Sequence, residues 1–432
     1  MANDEFLKIG VAGLGTVGAA TVDLIRRKGD LLAQRTGRRI AVTAVSARDR
    51  SRERGCDLSD CNWHADARDL VGDANVDLVV ELIGGSDGVA LDVCRMALDA
   101  GKPLVTANKA LLAHHGLELA AIAESKGVHL GFEAAVAGGI PIVKSLREGL
   151  AANSIVKVQG ILNGTCNYIL STMRESGRDF QEVLDEAQAL GYAEADPSFD
   201  VDGIDAAHKL ALLAALAYGG RPRFEAIHVE GIRHVSALDI AFAEELGYRI
   251  KLLGIARMTD AGLEQRLHPC MVPVTAPIAR VDGVLNAVEI TGDDVDAVMH
   301  EGRGAGGGPT ASAVVSDIVD IARGVCLPVL GVPAGRLADH ALAPMSAHRG
   351  CYYIRLMVLD RPGVLADVAA VLRDHDISIE ALIQRGRNPG QQVPIVFTSH
   401  EAGEAAMVDA LDAIGRLEAV IEPPRMIRIE PT

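Results

Sequence analysis

Phe6-Leu7-Lys8-Ile9-Gly10-Val11-Ala12 runs without a break into Gly13-Leu14-Gly15-Thr16-Val17-Gly18. The first seven residues have the apolar density of a buried strand, and Val17, Thr21, Leu24 and Ile25 then recur at helical spacing. A G-x-G-x-x-G triplet is weak by itself. Between a strand and a helix it has the context that a dinucleotide-binding turn requires. Gly13 permits the tight turn, Gly15 lets the backbone approach a pyrophosphate, and Gly18 lets helix and strand pack closely. Leu14, Thr16 and Val17 complete this cofactor-binding loop.

Outward from that turn the same alternation continues. Strands are predicted at residues 40–46, 76–83, 103–106 and 128–132, with helices at 87–99, ended by Gly101, and at 110–125, ended by Gly127. Repeated β/α units imply a Rossmann-type, doubly wound parallel sheet. The tip of the second strand reads Ser46-Ala47-Arg48-Asp49. A base there suits the 2′-phosphate of NADP(H), an acid the ribose of NAD(H), so Arg48 favours the former and Asp49 leaves the latter open. Thr106 ends the strand at 103–106 and Lys109 follows it, and the carboxyl ends of parallel strands are where ligands bind.

A second organising stretch is residues 191–218. An acid-rich loop, Gly191-Tyr192-Ala193-Glu194-Ala195-Asp196-Pro197-Ser198-Phe199-Asp200, opens into a helix that is apolar on all sides from Leu210 to Tyr218. Asp205 and Lys209 lie four apart and share a face of it. Such a pair on an exposed helix is decoration, but a helix apolar all round is buried, and a buried lysine needs a partner and a purpose. Asp202 is the expected N-cap, which would put Asp205 at N3.

The 432 residues carry a formal net charge of −16, which argues against nucleic acid or anionic membrane as partners. Seven cysteines without a C-x-x-C fit reduced thiols in a cytoplasmic protein rather than a disulfide framework or a zinc site. The polar start, residues 1–5, predicts no signal peptide, and no apolar run approaches the roughly 20 residues of a membrane span.

After Glu133 come Ala134-Ala135-Val136-Ala137-Gly138-Gly139-Ile140-Pro141, a strand at 155–162 and Asn163-Gly164-Thr165-Cys166-Asn167, in which Asn-Gly reads as a turn and Thr165 as a helix cap. Together with Gly-Tyr-x-Glu-x-Asp-Pro, Asp205/Lys209 and the glycine fingerprint, these motifs resemble homoserine dehydrogenase over residues 6–323. The resemblance implies interconversion of L-aspartate 4-semialdehyde and L-homoserine on the route to threonine and methionine. It further implies Lys209 as proton donor, Asp205 and Glu194 as homoserine ligands, and Lys109 beside nicotinamide and substrate. Oxygens of Glu133, Val136, Gly138 and Ile140 would hold a monovalent cation, Na+ or K+. The stretch Gly302-Arg303-Gly304-Ala305-Gly306-Gly307-Gly308-Pro309 looks like the segment that closes over the cofactor, with Gly304 against it. Phe199 stands where some members carry a second acid, which touches a supporting role only. The chemistry is coherent without the name: hydride reduction of an aldehyde leaves an alkoxide, which needs a positioned acid and a fixed positive charge. Competing readings are a dehydrogenase of another small oxo acid and a catalytically silent NAD(P)- and amino-acid-binding sensor.

Residues 224–290 read as α+β, with a helix at 237–246 and strands at 249–256, 263–271 and 284–290. Residues 333–349, rich in Ala, Pro and His, read as a linker. Beyond them a βαββαβ pattern begins, and its Asp360-Arg361-Pro362-Gly363-Val364-Leu365 entry to the first helix resembles ACT domains, which implies an amino-acid effector, threonine for such a pathway. The expected domains are a dinucleotide domain at 1–133 completed by a returning helix at 303–325, a substrate-binding and dimerisation domain at 134–302, and an ACT-like module at 350–432. A homodimer or homotetramer is expected by analogy of fold.

Overall fold

The computed structural model describes residues 6–385 and 390–431, so the polar start, residues 1–5, lies outside it. The chain forms two compact units: Met1–Gly164 with Asp205–Ile227 and Val284–His340, and Thr165–Ile204 with His228–Gly283 and Ala341–Thr432.

In the first unit β1 (Phe6–Ala12), β2 (Arg39–Ser46), β3 (Asn62–His64), β4 (Leu78–Glu81), β5 (Leu104–Thr106) and β6 (Leu130–Gly131) form a sheet in the order β3-β2-β1-β4-β5-β6. Every pairing is parallel, and the order reverses beside β1, where a doubly wound sheet opens its ligand crevice. Parallel strands need apolar cover on both faces. Ile9, Val11, Val45, Leu78 and Val80 are buried in one core with Val314 and Ile318 of the helix Gly307–Ala322. Two strands are shorter than their apolar runs predict. After Glu81 the backbone turns at Gly84 and Gly85, both at φ 84°, and after Gly131 it enters the 3-10 turn Glu133–Ala135.

The same unit holds an antiparallel triplet, Asp296–Arg303 beside Leu285–Gly292 beside Ile155–Ile161. The first of these strands is not predicted from the sequence, because its residues are exposed or half-buried throughout and show no clean alternation. The helix Ile204–Tyr218 is buried without a break from Asp205 to Leu216, as its composition requires. Its start differs from expectation: Asp202 ends the short helix Ser198–Val201, Gly203 follows at φ 90°, and the Asp202 carboxylate pairs with Arg233. Thr165 likewise lies inside the helix Gly164–Ser176, and its hydroxyl donates to the Tyr192 carbonyl at 2.8 Å.

In the second unit the hairpin Tyr248–Thr259/Gly262–Pro273 pairs along its whole length. The strands Arg349–Leu359, Ile379–Gln384, Gln392–Ser399 and Arg425–Ile429, with helices Val364–Asp374 and Glu404–Ile414, complete βαββαβ around their own apolar core. The last strand also pairs in parallel with the hairpin, Cys270 beside Arg428. Buried charges bind the same junction. Arg266, 1% exposed, meets Glu264 and Glu430 at 2.7 Å each, and Arg428 meets Glu230 at 3.0 Å and Glu404. The stretch expected as a linker is partly paired: Leu263 donates its N–H to the Ala341 carbonyl at 2.8 Å and accepts from Ala343 at 3.1 Å.

Candidate active site and cofactor loop

The glycine loop has the form its spacing predicts. Gly13 is at φ 102°, and a Cβ there would lie 2.4 Å from the Leu82 carbonyl oxygen, while one on Gly18 would lie 2.0 Å from that of Gly13. At Gly15 a Cβ would meet nothing within 4 Å, so this backbone borders open space. The helix Thr16–Arg27 begins there without a side-chain cap or a first-turn acid, which leaves its N–H groups and dipole to a phosphate. Leu14 is buried, Thr16 is exposed, and Val17 packs on the sheet core. These residues fit a dinucleotide.

Beyond β2, Arg48 is exposed, and Asp49 turns its carboxylate onto the Ser51 N–H and hydroxyl at 2.8 and 2.7 Å. At the end of β4 stands an acid that sequence reasoning missed. Glu81 is fully buried, accepts from the Thr106 hydroxyl at 2.6 Å and from the Ile83 and Gly84 N–H groups at 2.7 and 3.3 Å, and burial pushes its pKa up. Thr106 thus faces Glu81 and also accepts the Asn108 N–H at 3.0 Å. Asn108 caps the helix Lys109–Lys126 and donates to the Gly85 carbonyl at 2.6 Å. The available signal was position: an acid ending a buried parallel strand.

That cap sets Lys109 at the helix start, with Nζ 3.0 Å from Asp205 Oδ1. Asp205 Oδ2 accepts from Lys209 Nζ at 2.7 Å and from Asn163 Nδ2 at 2.9 Å. Lys209 also donates to the Leu162 carbonyl at 2.7 Å. One buried carboxylate therefore holds two lysines from different elements. Burial pushes the Asp205 carboxyl up, but the charges of Lys209 and then Lys109 outweigh it and hold the group well below the usual carboxylate range. His208 stacks on Phe224 with ring centroids 4.2 Å apart, and burial, then the neighbouring His114, brings its pKa down to about 4. Asn163, read from sequence only as a turn, and His208, not singled out, join the cluster. Glu194 belongs to the second unit, where it is exposed and its carbonyl accepts from Gln188 at 2.8 Å.

Ala137 and Gly138, at φ 53° and 55°, bend the backbone between Val136 and Ile140. The buried Glu133 carboxylate already accepts from the N–H groups of Val143 and Lys144 at 2.8 and 2.9 Å, and burial, then the Asp317 charge, pushes its pKa up to about 7. A cation at this bend would fall to backbone carbonyls, the donor set that replaces the hydration shell of a monovalent ion. Among the described residues no cluster of three or more His, Cys, Asp or Glu could hold a metal. Gly304 lies against the same bend: a Cβ on Gly138 would come 2.2 Å from the Gly304 carbonyl oxygen. A Cβ on Gly307 would come 3.3 Å from Thr16 and Ala20, so the glycine-rich segment reaches the fingerprint helix.

Comparison with known proteins bears on the family and the fold. Family models described as "Homoserine dehydrogenase, NAD binding domain", "Homoserine dehydrogenase" and "ACT domain" match residues 13–133, 141–319 and 352–419. The homoserine dehydrogenase of Pseudomonas aeruginosa is 46% identical over 431 residues, covering 98% of this chain and 99% of the relative. That of Helicobacter pylori is 42% identical over 424 residues, with 98% and 99% covered. The crystal structure of a homoserine dehydrogenase from Thiobacillus denitrificans superposes with a TM-score of 0.93 at 46% identity, covering 99% of this chain and 98% of that one. A hyperthermophilic archaeal homoserine dehydrogenase in complex with NADPH, 27% identical, superposes with a TM-score of 0.62 over 73% of this chain and 97% of its own.

Proposed function

We propose that this chain, which belongs to the homoserine dehydrogenase family, interconverts L-aspartate 4-semialdehyde and L-homoserine at the Lys209–Asp205–Lys109 cluster. Its class, an NAD(P)-dependent oxidoreductase, is carried by kinship over nearly the whole chain. The observation that carries the site is the buried Asp205 holding both lysines. The bound nicotinamide supplies or takes the hydride. In reduction Lys209 gives its proton to the carbonyl oxygen as negative charge develops there, and in oxidation it takes the hydroxyl proton back. Lys109 adds fixed positive charge beside that oxygen, and Asp205 keeps both ammonium groups in place. Glu194, by resemblance, receives the substrate's ammonium, so Glu194→Gln should raise KM for homoserine and leave cofactor affinity alone. Purified protein assayed with homoserine and NADP+ tests the reading. Cofactor binding without turnover would support a silent sensor, and turnover only with other hydroxy acids a different dehydrogenase.

Finer features belong to the same proposal. Arg48 reads the 2′-phosphate of NADP(H), supported by its exposure past β2 and by the engagement of Asp49 with Ser51. Arg48→Ala should weaken NADP(H) about ten- to a hundredfold and spare NAD(H). Backbone oxygens around Val136, Gly138 and Ile140, beside Glu133, take Na+ or K+, and Gly304 closes on the cofactor. The ACT module takes threonine in the cleft of about 310 Å³ that Asp360, Arg361, Gly363, Leu365, Gln384 and Ile395 help to line, and binding there lowers turnover. The enzyme serves threonine and methionine synthesis in the cytoplasm as a homodimer or homotetramer, and no helix among the described residues is long and apolar enough to cross a membrane.

A further inference from the structure

The segment 46–54, Ser-Ala-Arg-Asp-Arg-Ser-Arg-Glu-Arg, places four arginines in seven residues just beyond the tip of β2. In an unstructured loop they would be a solvated charge run. Here the loop is built. The Arg54 guanidinium donates to the carbonyls of Arg52, at 2.6 Å, and Asp49, which ties the loop back on itself. Asp49 closes the inner turn through Ser51. Both Arg54 and Arg50 lie over the ring of Trp63, with guanidinium carbons 5.4 and 5.7 Å from its centroid. Trp63 is itself fixed by β3, pairing with Val45 of β2 and packing on the sheet core. Asp49 and Glu53 offset two of the four arginines, so the segment keeps a net charge of +2, and the Asp49 carboxylate is turned onto Ser51.

We infer that the 2′-phosphate of the cofactor is read by a two-arginine clamp, Arg48 with Arg50, that Arg54 and Trp63 hold in shape. Arg48 follows the strand directly, and Arg50, two residues on, is seated on the indole of Trp63, whose backbone pairs with Val45 near the end of β2. A guanidinium over a tryptophan face is attracted by the ring quadrupole and keeps its N–H fork free at the edge, so it remains able to bond phosphate oxygens. Arg54 donates from both terminal nitrogens to loop carbonyls, so its part is positioning. The inference rests on the reading of Arg48 as the NADP(H) determinant and extends it to the residues that make one exposed arginine sufficient in direction and strength.

Trp63 is the single tryptophan of the chain, so its emission reports on this loop alone. The experiment titrates the full-length protein with adenosine 2′,5′-bisphosphate and with adenosine 5′-monophosphate, which differ only in the 2′-phosphate, following Trp63 emission and, independently, heat of binding. Wild type should bind the bisphosphate at least tenfold more tightly, with a change in Trp63 emission that the monophosphate does not produce, and the preference should shrink as salt is raised. Arg50→Ala should cost about ten- to a hundredfold in bisphosphate affinity and nothing in monophosphate affinity, with Arg50→Lys between them. Trp63→Phe, which keeps an aromatic face, should retain most of the preference, and Trp63→Leu should lose it by calorimetry. A wild type without preference overturns the NADP(H) reading and the clamp with it. A preference that Arg48→Ala abolishes while Arg50→Ala and Trp63→Leu leave it intact overturns the clamp alone.

Discussion

Lys209→Met is the substitution that separates chemistry from architecture at the candidate site. Methionine has nearly the same length, suits a buried helix face and carries no transferable proton. The change removes two donated bonds of 2.7 Å, to the Leu162 carbonyl and to Asp205. Asp205 keeps Lys109 at 3.0 Å and Asn163 at 2.9 Å, so its charge is not left bare. The cost should therefore fall below the roughly 3 to 5 kcal/mol of a buried charge stripped of all partners, and near the ~1 to 3 kcal/mol of an unsatisfied buried carbonyl. Against a stability of order 5 to 15 kcal/mol the protein remains folded. Loss of a general acid, by contrast, lowers the rate about 10²- to 10⁴-fold, or ~3 to 5 kcal/mol in the barrier. Initial rates in both directions, followed by nicotinamide absorbance, should thus fall by at least about a hundredfold in kcat. Adenosine 2′,5′-bisphosphate affinity and a cooperative melt should persist. A kcat within about threefold of the parent would make Lys209 structural. If Lys109→Met abolished turnover instead, the two lysines would exchange roles.

His208→Phe should flatten the acid side of the stability profile. The folded pKa of about 4 lies below the ordinary 6.5, so between those values the unfolded chain binds a proton that the folded one does not. Stability from this group is complete above about pH 6.5 and declines toward about pH 4, and phenylalanine, which keeps the stack on Phe224, removes that decline; equal slopes for parent and variant in thermal melts would refute it. Arg428→Met takes the guanidinium from the buried Glu404, while the half-exposed Glu230 keeps His228 at 2.7 Å, and should cost about 3 kcal/mol, whereas Arg349→Ala, in an exposed pair with Glu401, should cost under ~1 kcal/mol; similar shifts in denaturant midpoint would contradict the argument from burial. Arg361→Ala with Gln384→Ala should raise the threonine concentration for half-inhibition at least fivefold with kcat unchanged. Inhibition that is untouched by the pair and competitive with homoserine would place threonine at the substrate site.

The parallel sheet was legible because each of its features has a local cause: apolar runs for strands buried on two faces, glycines for turns that demand positive φ, and Gly127 for the end of the helix Lys109–Lys126. The Asp205–Lys209 pair was legible for the same reason, since four residues on one helix face is a local spacing. Glu81 and Asn163 were not. Their partners are Thr106 and Asp205, 25 and 42 residues away, and no local pattern marks a carboxylate or amide that is satisfied across the fold. Asp202 shows the converse. A sequence that caps a helix equally well ends the preceding turn, and Gly203 together with the distant Arg233 decided between the two. The strand Asp296–Arg303 was invisible because its half-exposed residues have no core face to alternate against.

The C-terminal module poses a sharper question than its sequence does, because βαββαβ reads as a detachable domain and a truncation before it reads as a clean test of regulation. Its last strand pairs antiparallel with Arg349–Leu359 and, at its end, parallel with Gly262–Pro273. Ending the chain near Gly350 would take Glu430 from the buried Arg266, which keeps only part of its pairing through Glu264, and would strip the last strand from the hairpin, so such a chain tests folding before it tests threonine. Point substitutions in the Asp360–Leu365 cleft avoid this. They also address how a ligand there could act at a distance. The cleft borders Val358 and Leu359, and the same strand faces Arg428 at Tyr352, so a shift of that strand reaches the hairpin through bonded neighbours and needs no hinge. Coupling by this route requires the strand to have two arrangements that the ligand distinguishes. Arg428→Met, if it folds, should then change the depth of threonine inhibition as well as stability. An unaltered response in that variant would cut the route and leave the shared strand with assembly alone.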